Sequence, residues 1–156
     1  MASIRDDIKQ TRPFRSKSQE VVVALLRTSN VLRRPFETAV EKEGVTFQQY
    51  NVLRILRGAR GPLPTMEIAQ RMIEDAPGIT RFVNALEQRG LLRREQWTGD
   101  RRQMLCQITP AGLRLLEKLD PVVNDLDDAT AGSLSDADLD SLLSLLSRVR
   151  EAAESR

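Results

Sequence analysis

PGITRFVNALEQRGLLRREQWTGDRRQMLCQIT, residues 77–109, is the stretch whose reading decides the fold. It opens as a short amphipathic helix, because Ile79, Phe82, Val83 and Leu86 fall at i, i+3, i+4 and i+7 and form an apolar face that must pack on a core. Pro77 suits the first turn, where its missing N–H costs nothing. Gly90 stops the run. Leu91–Trp97 then reads as a strand, and Met104, Cys106 and Ile108 alternate with Leu105, Gln107 and Thr109 as a second, half-buried one. Between them lies a charged loop, Thr98-Gly99-Asp100-Arg101-Arg102. Helix, strand, basic turn, strand is the order of a recognition helix followed by a β-wing.

The two exposed parts of this unit carry suitable chemistry for duplex DNA. Opposite the apolar face of the helix stand Gly78, Thr80, Arg81, Asn84 and Gln88, with Pro77 at its start. Arginine can grip guanine bidentately, asparagine adenine, threonine can meet a thymine methyl, and glycine lets the backbone approach phosphate. A polar helix face alone reads equally as a solvated surface; the wing is what changes that balance. At its tip Arg101 and Arg102 suit a narrow, strongly negative minor groove, with Asp100 placed to direct a guanidinium.

Working outward, Thr65–Ile73 reads as the first helix of a helix-turn-helix, capped by Thr65, with Glu74-Asp75-Ala76 as the turn. Thr46-Phe47-Gln48-Gln49 is a capping-box start for a helix to about Arg57, with Tyr50, Val52, Leu53, Ile55 and Leu56 inward. A loop with Gly58, Gly61, Pro62 and Pro64 follows. Residues 1–17 read as a mobile arm able to order on a partner subunit, and a long first helix starts at Ser18 and carries Val22, Leu25, Leu26, Leu32, Phe36 and Val40. Pro35 is expected to kink or split it. Thr109-Pro110 starts another helix, which Asp120-Pro121 interrupts or bends, and Ser135 starts a last one striped with Leu139, Leu142, Leu143, Leu146 and Val149. The first and last helices are greasier than a minimal DNA-binding unit needs, so they are expected to pair across a two-fold axis; the alternative is that they cover the monomer's own core.

Composition narrows the function. The 156 residues make one domain, 29% charged, with six aromatics, no histidine and one cysteine. That removes Ser-His and Cys-His nucleophile pairs and the His/Cys zinc patterns, and Gly58-Ala59-Arg60-Gly61 lacks the continuation of a phosphate loop. Neither an enzyme nor a cofactor or metal site is expected. No apolar run reaches membrane-spanning length, and no signal peptide opens the chain, so a cytoplasmic location is expected. Net charge is +2, yet residues 1–35 carry eight Lys/Arg against three Asp/Glu and residues 120–156 three against nine. The acidic end is expected to face away from a polyanion, or to be a plain solvated helix face.

From about Ser18 to Val149 the chain resembles the MarR family, named for multiple antibiotic resistance. Asp100-Arg101-Arg102 and then Ile108-Thr109-Pro110-Ala111-Gly112 resemble the family's D-x-R wing and L-T-x-x-G junction, with Ile108 for the usual Leu; Gly78-Ile79-Thr80-Arg81, Leu86, Gly90-Leu91 and Thr46–Leu56 are similar too. The resemblance implies a mainly α fold with a small β-hairpin wing: a winged helix-turn-helix lobe over 46–109 and dimerisation helices over 18–43 and 110–154. It implies a homodimer that binds double-stranded DNA at a palindromic operator, usually as a repressor. Thr80, Arg81 and Asn84 would lie in the major groove and Arg102, oriented by Asp100, in the minor groove, with Arg101 the second choice. A small aromatic or phenolic effector would relieve repression, and Arg27 or Arg54 with Tyr50 are the candidates for an anionic ligand, against ordinary ion pairs. The alternatives are a winged-helix protein-interaction module without DNA binding, or a redox sensor through Cys106, whose apolar strand position argues for an inert thiol.

Overall fold

The computed structural model of the protein describes residues 3–155, in the order α1 (Ile4–Asp7), α2 (Lys17–Glu41), α3 (Phe47–Gly58), β1 (Leu63–Pro64), α4 (Thr65–Gln70), α5 (Ile79–Gln88), β2 (Leu92–Gln96), β3 (Met104–Ile108), α6 (Pro110–Ala131) and α7 (Asp136–Glu154). Helices dominate, and the three strands form one antiparallel sheet in the order β1-β3-β2. The hairpin register pairs Leu92 with Ile108 and Gln96 with Met104, so the chain reverses beyond Gln96 and the expected wing is present.

Local chemistry accounts for most boundaries. Thr46 caps α3 by accepting the Gln49 N–H at 3.2 Å, while the Gln49 side chain accepts the Thr46 N–H at 2.9 Å. Helices α2 and α5 run into Gly44 and Gly90, both at positive φ. At Gly90 the bonds are Gly90 N–H to Glu87 O (2.8 Å) and Leu91 N–H to Leu86 O (3.0 Å), a Schellman closure that glycine makes without strain. The chain is thereby turned from α5 straight into β2.

Several expectations need correction. The long helix is capped by Ser16, whose hydroxyl accepts the Gln19 N–H, so it begins at Lys17 and Ser18 lies inside it. Pro35 does not split α2, and Pro121 does not interrupt α6. Both prolines are exposed, as are Val31 and Glu117 four residues earlier, so water can satisfy the carbonyls that each ring leaves without a donor. The arm is not wholly irregular either. Ser3 makes a capping box with Asp6 over α1, and Arg27 of α2 reaches back to Asp7; Met1 and Ala2 lie outside the described residues.

Thr65 is not a cap: Pro64 holds that position without a side-chain bond, and α4 ends at Gln70 rather than Ile73. Pro77 lies just outside α5, whose cap is Gly78. The supposed loop at Leu63-Pro64 is a two-residue strand on β3, facing Cys106 and Leu105. Proline is tolerated there because β1 is an edge, where its missing N–H breaks no ladder.

The core lies where α3, α4, α5, the sheet and the first half of α6 meet. Val52, Leu53, Ile68, Val83, Leu86, Leu92, Cys106 and Leu116 are all essentially sealed from solvent. Helix α7, in contrast, contributes no buried residue.

One contact allows no latitude. A Cβ on Gly112 would stand 2.2 Å from the Leu91 carbonyl oxygen and 2.7 Å from Ile108 Cγ1, whereas one on Gly58 would meet nothing within 4 Å. Gly112→Ala is therefore expected to destabilise the fold by about 1–3 kcal/mol or more through overpacking. Gly58→Ala, in contrast, should be close to neutral, and urea unfolding of the two variants beside the parent measures the difference.

Candidate nucleic-acid interface

The apolar spacing of α5 works as read, with Ile79, Val83 and Leu86 buried and Phe82 half-buried against the core. That orientation leaves the other face outward. Pro77, Gly78, Thr80, Arg81, Asn84, Ala85 and Gln88 line a shallow depression of about 520 Å³, so the structure brings together all five residues proposed for the major groove. Arg81 is exposed and lies over the Phe82 ring, 5.6 Å from its centroid. Stacking of this kind steadies a long side chain while leaving its donors available. Asn84 is half-buried, and its Oδ1 is enclosed without a hydrogen-bond partner. An unpaired buried acceptor is costly, so turning this amide toward an incoming donor is favourable.

The wing tip is built by a short network. Trp97 N–H donates to Gln103 O and Gln103 N–H to Asp100 O, both at 3.0 Å, and the Gln96 amide donates to Arg101 O at 2.7 Å. The Asp100 carboxylate accepts the backbone N–H of Arg102 at 3.0 Å. In the free protein Asp100 thus braces the backbone beneath Arg102, an Asx turn that a short side chain two residues earlier makes readily. Arg101 and Arg102 are exposed and have no carboxylate partner among the described residues.

Three polar ties that sequence reasoning missed hold these parts in place. Glu87 of α5 accepts the Arg94 backbone N–H (3.2 Å) and Nε–H (2.8 Å), locking the helix to β2. Asn51, the one buried polar residue among the described residues, accepts the Ile73 N–H at 3.0 Å and pins the turn after α4 to α3. Arg57 forks onto Asp120 at 2.7 and 2.9 Å and joins α3 to α6. Only Asn51 left a trace in the sequence, as an amide flanked by the inward Tyr50 and Val52. Arg57–Asp120 spans 63 residues, and Glu87–Arg94 crosses the turn from helix to strand, so neither follows a helix or strand period.

The residues considered for an anionic ligand are not offered as one group. Arg27 is paired with Asp7 at 2.8 Å. Arg54 lies 5.8 Å over the ring of Tyr50, which is only 2% exposed and whose phenol burial pushes up. None of the three lines the depression on α5 or the groove of about 570 Å³ between α2 and α6. Cys106 is sealed in the core beside the Thr65 hydroxyl, and burial raises its thiol further from ionisation. A protonated, enclosed thiol lacks both requirements of a redox sensor.

The sequence model described as MarR family matches residues 45–104, from just before α3 to the first residue of β3. A Thauera aromatica protein ascribed a transcriptional regulatory role at the hcr operon is 33% identical over 112 residues, which are 72% of this chain and 67% of that protein. The crystal structure of a MarR transcription factor from Planctomyces limnophilus is 33% identical, covering 86% of this chain and 98% of its own, at a TM-score of 0.66. MepR of S. aureus, solved as a complex with DNA, shares the fold at a TM-score of 0.75 and 19% identity, over 83% of this chain and 96% of its own.

The tie between α5 and the wing carries a pH signature. Hydrogen bonds from the Arg94 side chain hold the Glu87 carboxyl below its ordinary value of 4.5, against a smaller opposing effect of desolvation. A lowered carboxyl contributes its stability in full above the ordinary value and loses it as pH falls through the folded one. Urea unfolding across an acid pH series should therefore show the parent losing stability below about pH 4.5 more steeply than Glu87→Gln. Parallel curves would mean that the tie contributes nothing in solution.

Proposed function

Because the chain belongs to the MarR family of transcriptional regulators, we propose that it works as a homodimeric repressor that binds a palindromic operator in the cytoplasm. The winged lobe over 46–109 is the reading head, and the helices over 18–43 and 110–154 pair two copies. Pro77, Gly78, Thr80, Arg81 and Asn84 enter the major groove. Arg102 reaches the minor groove, with Arg101 beside it. The observation that carries this reading is the division of α5: its large apolar residues are consumed by the core, and what remains outward is a depression where Thr80, Arg81, Asn84 and Gln88 stand among the small Pro77, Gly78 and Ala85, shortly before a basic hairpin tip in the sequence.

Unspent apolar surface supports the dimer. On α7, Leu143 is 63% and Leu145 55% exposed, and on α2 Leu26 is 68% exposed, with Val21 and Val22 beside it. Had these stripes covered the monomer's core, they would be buried within one chain. An exposed run of this extent marks an interface, and a second copy of the same helices closes it by two-fold symmetry. A small aromatic acid or phenolic effector relieves repression in this reading, with the exposed Arg54 guanidinium over Tyr50 available to pair an anionic group on it.

A footprint on the DNA upstream of the protein's own gene, repeated at low and moderate salt, tests the reading. Two-fold protection that weakens steeply with salt is the expected outcome, since each neutralised phosphate releases counterions. Arg102→Ala is expected to lose about 1–3 kcal/mol of operator binding, and Arg81→Ala a similar amount with relaxed preference at the base it contacts. An Arg102→Ala variant with parental affinity would remove the wing from the interface. Leu143→Asp should convert a dimeric mass in sedimentation to a monomeric one and weaken operator binding with it. A parent that sediments as a monomer at micromolar concentration would end the two-fold argument.

A further inference from the structure

Residues 71–78 join α4 to α5, and their pose decides where the recognition helix points. Met72 and Ala76 of this segment pack half-buried on the core, whereas Ile73 is 65% exposed and Arg71, Asp75 and Pro77 are exposed as well. Polar ties add direction to that packing. One comes from within the lobe, where Asn51 of α3 accepts the Ile73 N–H. The other leaves the lobe, because the Glu74 carboxylate pairs with Arg33 of α2 while also accepting from the Gln48 amide at 3.3 Å.

Arg33 is itself held. Its guanidinium stands 5.8 Å from the Phe47 ring centroid at the start of α3, and Glu37, one turn further along α2, lies 3.8 Å from its Nε. Both partners are mostly covered, Arg33 at 37% and Glu74 at 25% side-chain exposure, so water and salt screen them less than a free surface pair. Among the described residues, this is the one ion pair that joins α2 to the segment between α4 and α5.

We infer that Glu74 is a positioning residue for operator reading: through Arg33 it sets the pose of α5 relative to α2, and hence the half-site spacing that a dimer accepts. The inference rests on the homodimeric DNA-binding reading above. In a two-fold dimer the separation of the two recognition helices follows from how each is set against the helices that pair the copies, and half-site spacing mirrors that separation. The core fixes which face of α5 is outward, but a short helix packed along one apolar stripe can still pivot. The Glu87–Arg94 tie and the Thr109 junction hold the C-terminal end of α5, and Glu74–Arg33 restrains the opposite end, the one that enters the groove.

The test uses the full-length protein and a set of duplexes that carry the footprinted half-sites at the native separation and at one or two base pairs shorter or longer. The parent is expected to bind the native spacing best. Glu74→Gln and Arg33→Gln should each lose about tenfold on native spacing and bind the altered spacings with nearly equal affinity, and the double variant should be no worse than either alone. The reciprocal exchange, Arg33→Glu with Glu74→Arg, should restore part of the spacing preference. The ratio of affinities at two spacings does not depend on the fraction of folded protein, so a general loss of stability cannot imitate the result. Unchanged spacing profiles in the single variants, or an equal loss at every spacing, would overturn the inference while leaving the regulator intact. A parent that binds none of the two-fold duplexes would overturn both.

Discussion

The structure depends on the close approach of α6 to the carbonyl group of Leu91. Four elements converge there. The Thr109 hydroxyl donates to Gly90 O at 2.6 Å and accepts from Gly112 N–H at 3.2 Å, and the Thr109 N–H donates to Leu91 O at 3.1 Å. One residue thus caps α6, satisfies the end of α5 and joins the two strands of the wing at their base. The absence of a side chain at Gly112 is the condition for it, because any Cβ would occupy the space of the carbonyl oxygen. Helix α5, the wing and α6 leave this point in three directions, so their mutual angles are constrained within a few residues.

Around that point the work is divided between apolar packing and polar ties. Packing is non-directional and secures which face of each helix is buried; the hydrogen bonds of Asn51 and the pairs Glu87–Arg94, Arg57–Asp120 and Arg33–Glu74 have geometry and secure how each element is turned. A DNA-reading head needs both, since side chains must meet base edges within a fraction of an ångström, and an apolar stripe alone leaves a short helix free to pivot. It is consistent with this division that Asn51, a polar residue sealed in the core, holds the turn that leads into α5.

The outer helices follow a different logic. Leucines on α7 and valines on α2 form stripes that the single chain does not cover, and the acidic run of α6 and α7 contrasts with the basic N-terminal third. In the proposed dimer, opposite charge at the two ends of the chain favours bringing unlike segments together between copies and sets the acidic surface away from phosphate. A protein that reads two half-sites gains from placing its pairing surface and its reading surface on different elements, because each can then be set without disturbing the other.

How much of this was legible in the residues varies with the range of the forces involved. The helix-strand-turn-strand order of 77–109, the capping box at Thr46, the stop at Gly90 and the outward face of α5 could be read directly, because local periodicity, capping and turn chemistry act over four to seven residues. Placement of the caps was less secure: Ser16 rather than Ser18 starts α2, and Pro64 rather than Thr65 precedes α4, because neighbouring residues compete for one position. Pro35 and Pro121 read from sequence as a kink or a break, and the helices run through both, because each sits on an exposed face where water can replace the lost donor, and exposure is a property of the packed molecule. Strand β1 existed only once β3 was there to pair with it, and the role of Asp100 beneath Arg102 depended on the tip's actual turn. The sequence by itself determined the elements and their chemistry. Tertiary structure alone decided the pairs Arg57–Asp120 and Arg33–Glu74, since contacts between residues distant along the chain depend on how the elements pack, and Glu87–Arg94, since it depends on how β2 folds back beside α5; none of them leaves a period in the sequence.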